Sequence, residues 1–163
     1  MIRVGILTVS DRASRGQRED LSGKVIREIV GQLPAQVVKY TVVPDDRARI
    51  EKELMRISEQ VDLVLTTGGT GLSPKDVTPE ATAHVIEKVV PGISEAMRME
   101  GLKHTPYALL SRAIAGVRKT SLIINLPGSP KAVRENLEII LPAIPHAIET
   151  LKGEGGECAG KQL

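Results

Sequence analysis

Two aspartates beside a glycine-rich run are the residues in this sequence best suited to chemistry. Asp45 stands in Pro44-Asp45-Asp46, and Asp76 follows the run Thr67-Gly68-Gly69-Thr70-Gly71 by a few residues. The glycines leave the backbone open to a ligand, and their N–H groups can turn toward an anion as in phosphate nests. The run is not a P-loop, because no Gly-Lys-Ser/Thr follows it. Nor is it Gly-x-Gly-x-x-Gly, because Pro74 occupies the place of the third glycine. A tight strand-to-helix turn is the alternative use of the same residues. Two carboxylates facing one phosphate site would repel the ligand: like charges about 4 Å apart cost about 4 kcal/mol at an effective dielectric of about 20. A divalent cation reverses that sign, and Mg²⁺ commonly binds one or two carboxylates together with substrate phosphates. The pair therefore suggests Mg-nucleotide chemistry. Helix capping is the plainer duty for each acid, although Thr78-Pro79 already supplies a cap and a first-turn proline after Asp76, and Asp46 can share the duty with Asp45.

Other candidates are weaker one by one. Ser10-Asp11 ends an apolar run, and Asp11 serves either as a ligand or, more commonly, as a turn former. Asp20-Leu21-Ser22-Gly23 reads as a helix start. Pro127, Gly128 and Ser129 follow Asn125-Leu126 and place a strand end, a glycine and a helix start together, which is either a second anion site or loop geometry. In Ser111-Arg112 the arginine could grip a phosphate with the serine donating to it, but such a pair is usually surface decoration. His84, His104 and His146 are far apart, and the single cysteine, Cys158, excludes an internal disulfide framework and a Cys-rich zinc site. No Ser-His-Asp or Cys-His constellation can be assembled. Met97 and Met99 read as core or subunit contacts.

The elements that must position these residues alternate. Strands are expected at 2–9, 36–43, 61–65 and 121–126, with helices at about 21–33, 44–58 and 79–89. Residues 92–112 read as short helical pieces broken at Gly101 and Pro106. A final helical stretch reaches Leu151, divided near Pro142 and Pro145. Arg118-Lys119 reads as a solvated approach to the last strand. The implied fold is α/β, three layers with a mostly parallel sheet flanked by helices, in one domain over residues 1–152 with a flexible tail at 153–163. Ligands of such sheets bind at the carboxyl ends of the strands, so segments 10–16, 44–46, 66–76 and 127–130 should meet at one edge.

Composition narrows the classes of partner. Lys plus Arg is 22 against 20 Asp plus Glu, a balance that gives no broad electrostatic footprint for nucleic acid. Aromatics are 1% of residues, so stacking platforms for single strands are nearly absent. No apolar run approaches the roughly 18 residues of a membrane span. With no basic leader before Ile2-Arg3-Val4, the expected location is cytoplasmic.

Taken together and in order, these motifs resemble the MogA/MoaB family of molybdenum cofactor biosynthesis, the molybdopterin adenylyltransferases. The resemblance covers residues 2 to about 152. It rests on Ser10-Asp11-Arg12, Asp20-Leu21-Ser22-Gly23, Pro44-Asp45-Asp46, Thr66 to Gly71, Asp76-Val77-Thr78-Pro79-Glu80, Leu110-Ser111-Arg112 and Asn125 to Pro130. It implies a molybdopterin-binding fold assembled as a homotrimer. The implied reaction is transfer of AMP from Mg-ATP to the terminal phosphate of molybdopterin with release of pyrophosphate, and hand-over of the product to a molybdenum insertase. Asp45 and Asp76 fall on acidic positions tied to catalysis and magnesium, Thr67 to Gly71 on the pterin and phosphate loop, Ser111 on a serine of the reaction centre, and Pro127 to Ser129 on the second ligand loop; Ser10 and Asp11 belong with the substrate residues. A non-catalytic molybdopterin carrier using the same loops is the alternative, and a nucleotide-cleaving hydrolase of the competence-damage type ranks below it. The implied nucleophile is a phosphate monoester, already anionic at neutral pH, which suits a chain without a catalytic His or Cys.

Overall fold

β-Branched and aliphatic residues fill Ile2–Val9 with almost no polar interruption, which suits a strand buried on both faces. In the computed structural model, which describes residues 1–154, this segment is β1 of a six-stranded sheet. It pairs in parallel with β2 (Ala35–Val43) on one side and β3 (Leu63–Thr67) on the other, and β3 pairs in parallel with β6 (Ser121–Leu126). The far edge turns antiparallel: β5 (Ala115–Arg118) pairs with β6, and β4 (Lys88–Val89) with β5. The sheet order is β2-β1-β3-β6-β5-β4.

Alternate residues of each strand face opposite layers. Val4 and Ile6 of β1, Leu63 and Leu65 of β3, and Leu122 and Ile124 of β6 pack with α2 (Leu21–Val30), α6 (Pro130–Ile140) and α7 (Ile144–Leu151). Leu7, Val64 and Ile123 turn the other way, onto α3 (Arg47–Ser58) and α4 (Thr78–Val85). Each fully buried Leu or Ile among them contributes about 1.5–3 kcal/mol.

The structure departs from the sequence reading in several places. A short helix, α1 (Asp11–Ser14), occupies the expected polar loop. The helix expected over 21–33 ends at Val30. The helix expected to reach Val89 ends at Val85, where Ile86 is already extended (ψ 151°); Val90 precedes Pro91, which disfavours helix and leaves an edge strand. Gly101 does not break α5 (Pro91–Leu102). It lies inside the helix, and its missing side chain makes room for Ala108 of the 3-10 turn Pro106–Leu110. Arg118 ends β5, and Lys119, with φ 53°, turns the chain back into β6. The division near Pro142 and Pro145 is as expected, with a 3-10 turn over Leu141–Ala143 between α6 and α7. Of the expected tail, residues 155–163 and with them Cys158 lie outside the described residues.

Candidate active site

The carboxyl ends of β1, β2, β3 and β6 share one edge, and the four loops leaving them are bonded to one another. Ser10 N–H donates to the Val43 carbonyl (2.9 Å), and the Thr67 hydroxyl donates to the Pro127 carbonyl (2.6 Å). Asp11 and Asp45 hold each other reciprocally: Asp11 N–H donates to Asp45 Oδ2 (2.9 Å) and Asp45 N–H to Asp11 Oδ1 (3.0 Å). Lys75, from the loop after β3, reaches Asp11 Oδ2 at 3.0 Å. The expected convergence of segments 10–16, 44–46, 66–76 and 127–130 is thus observed.

The glycine loop is shaped by close approach. Gly68 has φ 93°, and a side chain there would strike the Val9 carbonyl oxygen at the end of β1. Gly68 N–H donates to the Leu126 carbonyl (3.3 Å), so it is committed to the fold, and Gly69, Thr70 and Gly71 are left as the loop's candidate anion donors. Thr78 was expected to cap α4, yet its side chain makes no cap bond. Its hydroxyl donates to the Gly68 carbonyl (2.9 Å) and its N–H to the Gly69 carbonyl (3.1 Å), tying the loop to the helix behind it.

Neither aspartate caps a helix. Asp46 takes that duty for α3, accepting from Arg49 N–H at 2.8 Å. Asp76 Oδ2 instead accepts from Ser73 N–H (3.1 Å) within its own turn. Burial pushes the Asp45 carboxyl above its ordinary range, and the charges of Asp11 and Asp76 push the same way against the Asp11 N–H and Lys75. The Asp11 carboxyl is drawn down, chiefly by the Lys75 ammonium and then by the Asp45 N–H. The site therefore sets a half-buried Asp45 beside the carboxylates of Asp11 and Asp76. Among the described residues, no three His, Cys, Asp or Glu side chains are placed to hold a metal unaided. A pair of carboxylates completed by substrate phosphates is the arrangement these residues fit.

Two cavities flank the loops. One, of about 330 Å³, lies between the end of β1, the start of α2 and the Gly128-Ser129 turn, and Ser10, Thr67 and Gly68 line it. The other, of about 260 Å³ and more apolar, is lined by Thr70, Gly71, Ser111 and Pro127 together with Met97 and Tyr107. Neither is lined by Asp45 or Asp76, and Ser111 lies in the second cavity, apart from Ser10 in the first. Ser10 and Ser129 also cap helices, accepting from Ala13 and Ala132 N–H at 3.2 Å each. The Gly128 carbonyl accepts from the Ser22 hydroxyl at 2.7 Å.

Three side chains at this edge do more than the sequence reading assigned to them. Lys75 pairs with Asp11. Ser22 lines the first cavity and holds Gly128. Arg112, read as surface decoration, donates to the carbonyls of Gly71 and Asp76 and pairs with Glu80. Asp20 caps α2 as expected, accepting from Gly23 N–H at 2.9 Å, and also accepts from the hydroxyls of Thr8 and Tyr40. Burial first, and then the Asp20 carboxylate, push the Tyr40 phenol up to about 12.

The family model described as a probable molybdopterin binding domain matches residues 5–146. The chain belongs to that family. A molybdopterin adenylyltransferase of Helicobacter pylori (strain J99) is 50% identical over 156 residues, covering 93% of this chain and 89% of its own. The molybdopterin adenylyltransferase of Escherichia coli K12 is 37% identical, covering 97% and 89%. Among solved structures, the molybdopterin biosynthesis enzyme MoaB of Thermus thermophilus superposes with a TM-score of 0.87 at 52% identity, over 94% of this chain and 98% of that one. The family's fold is thus the mixed, mostly parallel sheet described above.

Proposed function

We propose that this chain is a molybdopterin adenylyltransferase, working as one domain over residues 1–152. It transfers AMP from ATP to the terminal phosphate of molybdopterin and releases pyrophosphate. The observation that carries the reading is the meeting of Asp45 and Asp76 with the glycine loop at one sheet edge, where two cavities flank the loops. A phosphate-monoester oxygen attacks the α-phosphorus of ATP, the bond to the oxygen shared with the β-phosphate breaks, and pyrophosphate leaves with that oxygen. Such a step asks for positioning and charge neutralisation rather than a strong base. Gly69, Thr70 and Gly71 offer backbone N–H groups to anionic oxygens, and the Pro127–Ser129 turn closes the other side. Ser10 lines the first cavity with Asp11 next to it in the chain, and Ser111 offers its hydroxyl in the second.

Asp45 and Asp76 would hold Mg²⁺, and the burial of Asp45 together with the like charges of Asp11 and Asp76 beside it is what supports that assignment. When bound, the ion would neutralise the triphosphate and the departing pyrophosphate. The same reading carries a cytoplasmic homotrimer that passes its product to a molybdenum insertase. No helix among the described residues is long and apolar enough to cross a membrane. The trimer is supported by exposed apolar residues on α5 and the following 3-10 turn.

The test is pyrophosphate release from Mg-ATP, with and without molybdopterin. Release that depends on the pterin is expected. Tight pterin binding without release would replace the enzyme by a carrier, and release without the pterin would point to a nucleotide hydrolase.

A further inference from the structure

Both ends of the glycine loop are tied down, but by different means. Thr78 holds Gly68 and Gly69 from α4. The far end is held by one side chain from another segment. Arg112 Nε donates to the Gly71 carbonyl (2.8 Å), Nη2 donates to the Asp76 carbonyl (2.6 Å), and Nη1 pairs with the Glu80 carboxylate in the first turn of α4. Its backbone N–H donates to the Thr70 carbonyl at 2.9 Å. The neighbouring Ser111 lines the second cavity. A planar guanidinium meets three acceptors in three fixed directions, whereas an ammonium is a point donor on a flexible stem. Glu80 Oε2 is buried without a hydrogen-bond partner among the described residues, so Arg112 is the cation that contacts this acid directly, with Arg47 a further positive charge nearby.

We propose that Arg112 is a positioning residue for the transfer reaction. By fixing the carbonyls of Gly71 and Asp76 it sets where the Asp76 carboxylate stands, and so how firmly a divalent cation and the triphosphate are held. The inference rests on the reading of Asp45 and Asp76 as the metal-holding pair. Residues 71–76 belong to no helix or strand, so no backbone ladder fixes Asp76 independently.

Metal binding separates this role from a merely structural one. Mn²⁺ is titrated by electron paramagnetic resonance into the protein with α,β-methylene ATP, using Asp76→Asn as the zero reference. Mg²⁺ titrations of pyrophosphate release and melting curves run alongside. For Arg112→Lys a Mn²⁺ affinity about tenfold weaker is expected. The Mg²⁺ needed for half-maximal release should rise by a similar factor, and excess Mg²⁺ should restore part of kcat. A melting point that falls while metal affinity and the Mg²⁺ titration stay at wild-type values would overturn the proposal and leave Arg112 a structural strap. Should Arg112→Lys not fold, Glu80→Gln removes the counter-charge and keeps the fork; a weakening of about threefold is expected, and none would overturn the proposal. Wild-type protein that binds no Mn²⁺ above the Asp76→Asn reference would overturn the metal reading itself, and this inference with it.

Discussion

Asp45 is held by two opposing demands. Its carboxylate accepts a good hydrogen bond from Asp11 N–H, yet burial and the charges of Asp11 and Asp76 raise its pKa. A raised folded-state pKa means that the proton favours the fold. That contribution is complete below the ordinary carboxylate value and is lost as pH rises through the raised one. At pH 7 the ionised Asp45 therefore costs stability. Asp45→Asn keeps an oxygen for Asp11 N–H and removes the charge. It should melt higher than wild type at pH 7, with the gap closing below about pH 4, while pyrophosphate release falls at least tenfold or needs more Mg²⁺. A variant that melts lower at pH 7 would show that the carboxylate is structural. Asp76→Asn should fold and lose turnover by about 10²–10³-fold, the scale of removing one electrostatic stabiliser from an active site; turnover near wild type would remove Asp76 from the mechanism. Both acids were legible in the sequence because each follows a strand-like run at a turn. The contacts of Arg112 and Lys75 were not. Their partners lie 32–41 and 64 residues away, and no local pattern encodes such a meeting.

Strands and helices need anchors at the end opposite the site, and Asp62 is one. It sits just before β3, almost fully buried, accepts from Arg3 N–H (2.8 Å) and Nη2 (3.0 Å) of β1, and meets Lys152 Nζ (3.3 Å) just beyond α7. Burial alone would raise its carboxyl, but the hydrogen bonds from Arg3 and Lys152 outweigh it and hold the pKa at about 2. A depressed folded-state pKa gives stability that is present above the unfolded value and is lost as pH falls through the folded one, here from about pH 4 down to about pH 2. Asp62→Asn should cost about 2 kcal/mol at pH 7, lowering Tm by about 4–8 °C, and should flatten the acid limb of the melting profile. An unchanged acid limb would assign that limb to other carboxylates. Gly68→Ala acts at the opposite edge: it puts a side chain on the Val9 carbonyl in a left-handed conformation, so a loss of about 1–2 kcal/mol or more in stability is expected from chemical denaturation. The parallel half of the sheet was legible because β1, β3 and β6 are continuous apolar runs with glycine, proline or polar punctuation after them. The antiparallel edge was not. β4 is two exposed residues, and Ala115-Gly116 carry little strand preference, so pairing with β6 decides what their sequence does not.

Solubility and assembly depend on surfaces that neither the acids nor the strands explain. The charge is nearly balanced, which gives little long-range repulsion between copies. Met99 and Leu102 on α5 and Tyr107 and Leu109 on the 3-10 turn are exposed, with Tyr107 at 77% and Leu109 at 66%, and the two segments are joined where Gly101 meets Ala108. Scattered single apolar residues need no explanation, but these four lie on two joined segments, one of which borders a cavity through Tyr107, and they support the proposed subunit contact. Tyr107 also lines the second cavity, so a subunit seated on this face would cover part of the substrate's surroundings as well as the patch. Under the proposed homotrimer that occupant is a further copy of the chain. Light scattering should then give about 53 kDa, three times the 17.5 kDa chain, over the micromolar range. Leu109→Glu places a charge in the covered face and should yield monomers that keep the helix and strand signature of the wild type. Because the second cavity would lose one wall, those monomers should show a KM raised at least tenfold for the substrate that this cavity holds, with a smaller change in the KM of the other. A wild-type chain that runs at 17.5 kDa at these concentrations would rule out the assembly. A Leu109→Glu monomer with both KM values unchanged would mean that the cavity is complete within one copy, and that the patch serves association alone.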